Sequence, residues 1–181
     1  MINLNKIHDI DILSSPFDHI VSTDLCEDFS LVSDVYNFFT ASQEWNKEQD
    51  NQQFTLHEYN DQSTQLVNIF EEFNWQPILD RFNVKYSSMF SSFQGSNMEQ
   101  PLPPHNDDPK MTKTVAKFLF YMTPHIDNGT RLHSDNGFIT TPGAQGDFFM
   151  FKCSPTSFHS TDYSTINKDT KRIVLVGCFH E

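Results

Sequence analysis

Basic residues are scarce in this chain: its 181 residues include 12 Lys and Arg against 24 Asp and Glu, a formal net charge of −12. Affinity for a phosphate backbone comes from clustered Lys and Arg, so this balance argues against nucleic acid and other acidic partners. Apolar runs are short as well. None approaches the roughly 20 residues that a membrane-spanning helix needs. The start, Met1-Ile2-Asn3-Leu4-Asn5-Lys6, has no basic segment followed by an apolar stretch. The expectation is a soluble, cytoplasmic protein with no membrane association. Cysteine is rare, odd in number and dispersed, at Cys26, Cys153 and Cys178. That pattern fits reduced thiols serving as small apolar side chains rather than a disulfide framework. Also missing are G-x-S-x-G, the phosphate-binding G-x-x-x-x-G-K, G-x-G-x-x-G and any C-x-x-C pair, which leaves hydrolase, nucleotide and zinc-ribbon readings without support. There are no internal repeats or low-complexity tracts.

Phenylalanine is abundant. The 18 Phe residues lie mostly inside periodic segments and read as core. The length encloses one core, so residues 1–181 are read as a single domain. Phe29, Val32, Val35, Tyr36 and Phe39 recur at helical spacing, with Asp24 and Glu27 placed as a capping box, after a short strand over residues 17–21. Residues 42–53 are polar and read as an exposed loop; Leu66, Ile69, Phe70 and Phe73 then mark a second helix. From residue 83 the pattern changes to short β-rich runs over 84–93, 115–122, 129–133, 137–140, 147–151, 157–163 and 172–179. The expected fold class is α+β, mainly β: a double-sheet jelly roll over residues 83–181, with N-terminal supporting helices over residues 1–82. Such a barrel leaves a mouth between its sheets where a metal or ligand can sit.

The chemistry centres on Pro103-Pro104-His105-Asn106-Asp107. In an extended chain residues i and i+2 point to one side, so His105 and Asp107 can converge on one ion. His159, in Ser157-Phe158-His159-Ser160 just past the run Phe148-Phe149-Met150-Phe151, is well situated as a third ligand. Two histidines and a carboxylate with open positions form the facial triad of non-haem iron(II) oxygenases. Arg172 opens the apolar run 172–179. A guanidinium there is costly to bury without an anion, and its planar fork suits a carboxylate.

This ordered set resembles the 2-oxoglutarate/Fe(II)-dependent dioxygenase superfamily, and the surrounding segments resemble its prolyl 4-hydroxylase-type branch. Phe118-Leu119-Phe120-Tyr121-Met122-Thr123 is similar to that branch's strand after the H-x-D. The approach Thr141-Pro142-Gly143-Ala144-Gln145-Gly146-Asp147 is similar to the Pro-x-x-Gly segment before its distal histidine, and 172–179 to its closing strand. The match runs from about residue 84 to the end. The resemblance implies a double-stranded β-helix in which His105, Asp107 and His159 bind Fe(II). Arg172 would pair with the distal carboxylate of the 2-oxoglutarate co-substrate, assisted by the Tyr121 hydroxyl. It also implies consumption of O2, a supporting role for ascorbate, release of succinate and CO2, and hydroxylation of a C–H bond. The substrate would be a peptide or protein residue, prolyl by analogy with the branch, or a small molecule. The sequence departs from the family in a longer interval between His159 and Arg172 and a reduced glycine motif after Tyr121. Lys171 competes with Arg172 as the anion partner, because some relatives use Lys there.

Other features read more plainly. The second H-x-D, His125-Ile126-Asp127, runs into Asn128-Gly129 and reads as a hairpin turn. His57 and His133 lack partners at ligand spacing, and His8, His19 and His180 are undistinguished. Two further readings of the same residues stand beside the oxygenase. One is a cupin-like jelly roll that binds a metal or small molecule without catalysis; the other is a metal-dependent isomerase or hydrolase. The rim loops 95–104, 108–113 and 162–171 would set specificity, and a single sequence carries no code for them.

Overall fold

The computed structural model describes residues 1–42, 54–97, 102–107, 109–124, 129–161 and 171–181. A short 3-10 helix (Leu4–Asp9) and β1 (His19–Ser22) lead into α1 (Ser30–Ala41), β2 (Phe54–Leu56), α2 (Asp61–Glu71) and α3 (Gln76–Arg81). The strands β3 (Ser88–Asn97), β4 (Thr114–Tyr121), β5 (Thr130–Ser134), β6 (Gly137–Thr140), β7 (Phe148–Lys152), β8 (His159–Thr161) and β9 (Lys171–His180) follow, with the single-turn α4 (Pro109–Thr112) before β4. They form two antiparallel sheets, a six-stranded one ordered β1-β7-β4-β9-β3-β2 and a three-stranded one ordered β6-β5-β8.

The large sheet is apolar on both faces because successive side chains alternate across it. Ala116, Phe118 and Phe120 of β4, Phe148 and Met150 of β7, and Ile173, Leu175 and Phe179 of β9 face α1, α2 and the Trp75 region, where they join Val32, Val35, Phe39, Leu66 and Phe70. Each fully buried aromatic in this layer contributes about 1.5–3 kcal/mol of transfer free energy. Trp75 sits at its centre, stacked 4.9 Å from Phe118 and 6.1 Å from Phe148, and its indole N–H donates to the Phe70 carbonyl at 2.7 Å. Glycine is required at position 177, since a Cβ there would overlap the Phe118 ring. The other face carries Leu119 and Tyr121, Phe149 and Phe151, and Val174, Val176 and Cys178, packed toward Leu132 of the small sheet. The site lies between the two sheets on this inner side.

Some local readings need correction. Asp24 and Glu27 do not cap α1, which begins at Ser30; the Ser30 amide donates instead to Asp28 Oδ1 at 2.9 Å. Residues 25–27 are held extended against the N-terminal segment, where the Asn3 amide donates to Leu25 O and that of Glu27 to Met1 O, so no helical turn starts there. A reciprocal Asn60–Ser63 box starts α2 instead. Phe73 lies past the end of α2, packed against the core. The strand expected over 84–93 is shifted to 88–97, in register with β9 along its whole length. Two strands of the large sheet, β1 and β2, come from the first 82 residues, so that portion supplies sheet as well as helix. The loop 43–53 and the second H-x-D lie outside the described residues.

Candidate metal centre

A reciprocal pair of backbone hydrogen bonds brings the key histidines together. The His105 amide donates to His159 O at 3.0 Å, and the His159 amide to His105 O at 2.8 Å, an isolated antiparallel bridge onto the first residue of β8. Asn106 fastens the same segment by donating Nδ2 to Pro155 O at 2.8 Å. The two imidazoles therefore project side by side, with ring centroids 4.3 Å apart. Asp107 lies one step further along, and the ligand atoms of His105, Asp107 and His159 all fall within 4.8 Å of one another. Among the described residues this is the cluster of His, Cys and carboxylate groups able to hold an ion.

The chemistry of the donors suits a cation. His105 Nδ1 lies 3.0 Å from Pro103 O, and His159 Nδ1 lies 3.0 Å from Ser157 O. A carbonyl oxygen only accepts, so each Nδ1 carries the proton and each Nε2 keeps a lone pair. His159 is buried against Phe151, ring to ring at 4.8 Å. Burial and the neighbouring His105 push its pKa down to about 4, which keeps it neutral at pH 7. Burial works to raise the Asp107 pKa, but the Lys117 ammonium outweighs it and holds the carboxyl below its ordinary value.

Lys117 had no role in the sequence reading. It sits on β4 with its side chain on the inner face, and its Nζ donates to Asp107 Oδ2 at 2.8 Å. The same oxygen lies 3.6 Å from His159 Nε2. Its signal was available: within Val115-Ala116-Lys117-Phe118-Leu119-Phe120-Tyr121 it shares the parity of Leu119 and Tyr121, which face inward.

The cluster opens on a cavity of about 230 Å³ that runs from His105, Asp107, Lys117 and His159 to Thr130 and Arg172. Arg172 is 2% exposed, yet among the described residues its Nε and Nη2 have no hydrogen-bond partner. An unpaired buried guanidinium points to an absent anion. Tyr121 is not on the cavity wall. Its ring lies 5.6 Å from the Arg172 guanidinium, and its hydroxyl bonds to Thr130 Oγ1 at 2.8 Å. Burial raises the Tyr121 pKa, so the phenol stays neutral. Lys171 reaches elsewhere and donates to Thr40 O at 2.8 Å at the end of α1.

The remaining histidines of interest have structural partners: His133 bonds Ser160 Oγ at 2.8 Å, His19 bonds Phe17 O at 2.8 Å, and His8 stacks on Phe73. Cys153 and Cys178 are buried and Cys26 half-buried, all as free thiols.

No protein-family model and no curated protein matches this sequence. Solved structures do. A prolyl-4-hydroxylase from Pseudomonas putida aligns over 90% of this chain and 92% of its own, with a TM-score of 0.67 at 10% identity. A prolyl hydroxylase from Trichoplax adhaerens, in complex with a hypoxia inducible factor oxygen degradation domain peptide fragment, aligns over 90% and 83%, with a TM-score of 0.62 at 9% identity. An oxidoreductase of the 2OG-Fe(II) oxygenase family from Burkholderia pseudomallei aligns over 66% and 58%, with a TM-score of 0.50 at 14% identity. The fold of this chain is that of the prolyl 4-hydroxylase-like 2-oxoglutarate/Fe(II) oxygenases.

Proposed function

We propose that residues 1–181 form one Fe(II)- and 2-oxoglutarate-dependent dioxygenase domain, a double-stranded β-helix with N-terminal supporting helices. In this reading His105, Asp107 and His159 hold the iron, and Arg172 binds the distal carboxylate of 2-oxoglutarate. The observation that carries it is the pairing, in one small cavity, of a two-histidine, one-carboxylate cluster with a buried guanidinium whose Nε and Nη2 lack partners among the described residues. A cavity serving only a metal has no use for Arg172. When bound, iron supplies the redox chemistry that couples O2 and decarboxylation of 2-oxoglutarate to oxidation of a C–H bond, with release of succinate and CO2.

The protein's own share is placement. The Pro103 and Ser157 carbonyls engage Nδ1 of both imidazoles, which would leave each Nε2 lone pair for the cation. Phe151 keeps water from the flank of His159. The Tyr121 ring flanks the Arg172 guanidinium, and its hydroxyl holds Thr130 on the cavity wall. The substrate is proposed to be a peptide or protein residue, with a prolyl residue the reading drawn from the neighbours' names and a small molecule the other arm.

The test is succinate formed from 2-oxoglutarate by purified protein with Fe(II), ascorbate and air, comparing wild type with His105→Ala and Arg172→Ala. Metal-dependent succinate that disappears in both variants supports the proposal. Absence of succinate together with absence of 2-oxoglutarate binding under nitrogen overturns it. A cupin-like binding module using the same three residues would instead show metal uptake with no response to 2-oxoglutarate.

A further inference from the structure

The Lys117 side chain is mostly enclosed, at 19% exposure, and Asp107, with its side chain at 16%, is its ion-pair partner. Among the described residues that line the cavity, Asp107 is the one acid. The Lys117 contact falls on Oδ2, the oxygen 3.6 Å from His159 Nε2 and so the one turned toward the shared metal position. A divalent ion held by the three ligands would draw on the charge of that carboxylate and would leave Lys117 on the cavity wall without a full counter-charge. The nearby thiols offer none, since burial raises the pKa of Cys153 and Cys178 and keeps them neutral.

The charges of the loaded centre decide what must come next. Neutral imidazoles, a divalent iron, the Asp107 carboxylate, the two carboxylates of 2-oxoglutarate and the Arg172 guanidinium together carry no net charge. Lys117 adds one uncompensated positive charge beside the reacting position, and an enclosed charge of that kind is costly until it is paired. Both carboxylates of the co-substrate would already be balanced by the metal and Arg172, so neither would bring charge to spare for Lys117. We infer that Lys117 is a specificity-determining residue that pairs with an acidic group on the second substrate, a carboxylate carried by an amino-acid side chain or by a small molecule. This inference rests on the oxygenase reading proposed above. It also contrasts with the chain as a whole, whose net charge of −12 disfavours acidic macromolecules at long range. Recognition of the acid is local, within the cavity.

The test loads the full chain with Fe(II) and 2-oxoglutarate under nitrogen and titrates four probes: N-acetyl aspartate and glutamate N-methylamides and their asparagine and glutamine isosteres. Free aspartate and glutamate form a separate arm. Binding is read by calorimetry and by perturbation of the visible absorption of the iron–2-oxoglutarate complex. A charge-assisted hydrogen bond in place of a neutral one gives an expected preference for acid over amide on the order of tenfold or more. That preference, read at saturating Fe(II) and 2-oxoglutarate for each protein, should vanish in Lys117→Met and Lys117→Gln, and Lys117→Arg should keep it. The capped probes winning points to a peptide acid, and the free acids winning to a small molecule; both support the inference. Equal affinity for acid and amide, or no binding of any probe, overturns it, with wild-type 2-oxoglutarate binding showing that the oxygenase reading survives. Loss of 2-oxoglutarate or iron affinity in both Lys117 variants with no change in probe preference also overturns it. If wild type binds no 2-oxoglutarate, the oxygenase reading fails first.

Discussion

Replacing Arg172 by Met should move stability and ligand response in opposite directions. In the ligand-free protein Arg172 is 2% exposed, and its Nε and Nη2 are unpaired among the described residues. A buried donor without a partner costs about 1–3 kcal/mol, and exchanging a buried ionic group for apolar side chains of similar volume stabilises other proteins by roughly 1–4 kcal/mol. Against this stands the lost contact with the Tyr121 ring, 5.6 Å from the guanidinium, worth about 1–2 kcal/mol in a dry site. The exchange already includes relief of the unpaired donors, so the expected net gain for Arg172→Met is about 1 kcal/mol, which at this chain length raises Tm by about 2–4 °C. With Mn(II) and 2-oxoglutarate under nitrogen the order should reverse. Wild type then gains about 2.7 kcal/mol when free ligand stands at about 100 times its Kd, whereas the variant gains next to nothing. Calorimetric melts of both proteins, with and without ligand, check both halves. A variant less stable than ligand-free wild type would show that the guanidinium is already satisfied, and Arg172 would no longer mark an anion site. An equal response of both proteins to 2-oxoglutarate would refute its role in binding.

Two further outcomes follow from the same geometry. In metal-free protein the His159 pKa is lowered to about 4, below an unfolded value of about 6.5, so the unfolded chain takes up the proton first as pH falls. The stability due to neutral His159 is then complete above about pH 6.5 and lost progressively toward pH 4, on the order of 3 kcal/mol in all. Urea melts should show a smaller loss between those pH values for His159→Gln, and equal losses would contradict the burial of a neutral imidazole. Gly177→Val should destabilise by about 1–3 kcal/mol, because the new Cβ meets the Phe118 ring. A urea midpoint unchanged in that variant would mean the sheet face is not close-packed.

His105, Asp107, His159 and Arg172 were legible because each breaks a local pattern: a histidine and a carboxylate at strand spacing, a histidine just past an aromatic strand, a guanidinium opening an apolar run. What brings them within reach of one another is not local. The His105–His159 bridge joins segments far apart in the chain, and nothing in either segment alone announces it. Lys117 was passed over because a single Lys in a strand is ordinarily a solvated side chain on the polar face. Only the parity it shares with Leu119 and Tyr121 reveals that it points inward. The capping error at Asp24 has the same origin: its spacing was right for a helix start, but pairing of residues 25–27 with the N-terminal segment overrode it. The 3-10 helix and α3 are too short for apolar periodicity to mark, and β2 is only three residues long. The second H-x-D lies outside the described residues, so its weight still rests on local sequence.

The two backbone hydrogen bonds between His105 and His159 have a dynamic consequence. β8 is three residues long, and among the described residues its backbone pairing with the H-x-D segment is one bridge, backed by the Leu102 amide donating to Thr161 Oγ1 at 3.3 Å, so the mouth can part there without unravelling the six-stranded sheet. A cation held as proposed by side chains on both sides of that bridge would act as a clasp across a seam. The amide protons of His105 and His159 are therefore reporters of the seam itself: their exchange with solvent tracks opening of the mouth, and its slowing on metal addition measures how firmly the clasp holds.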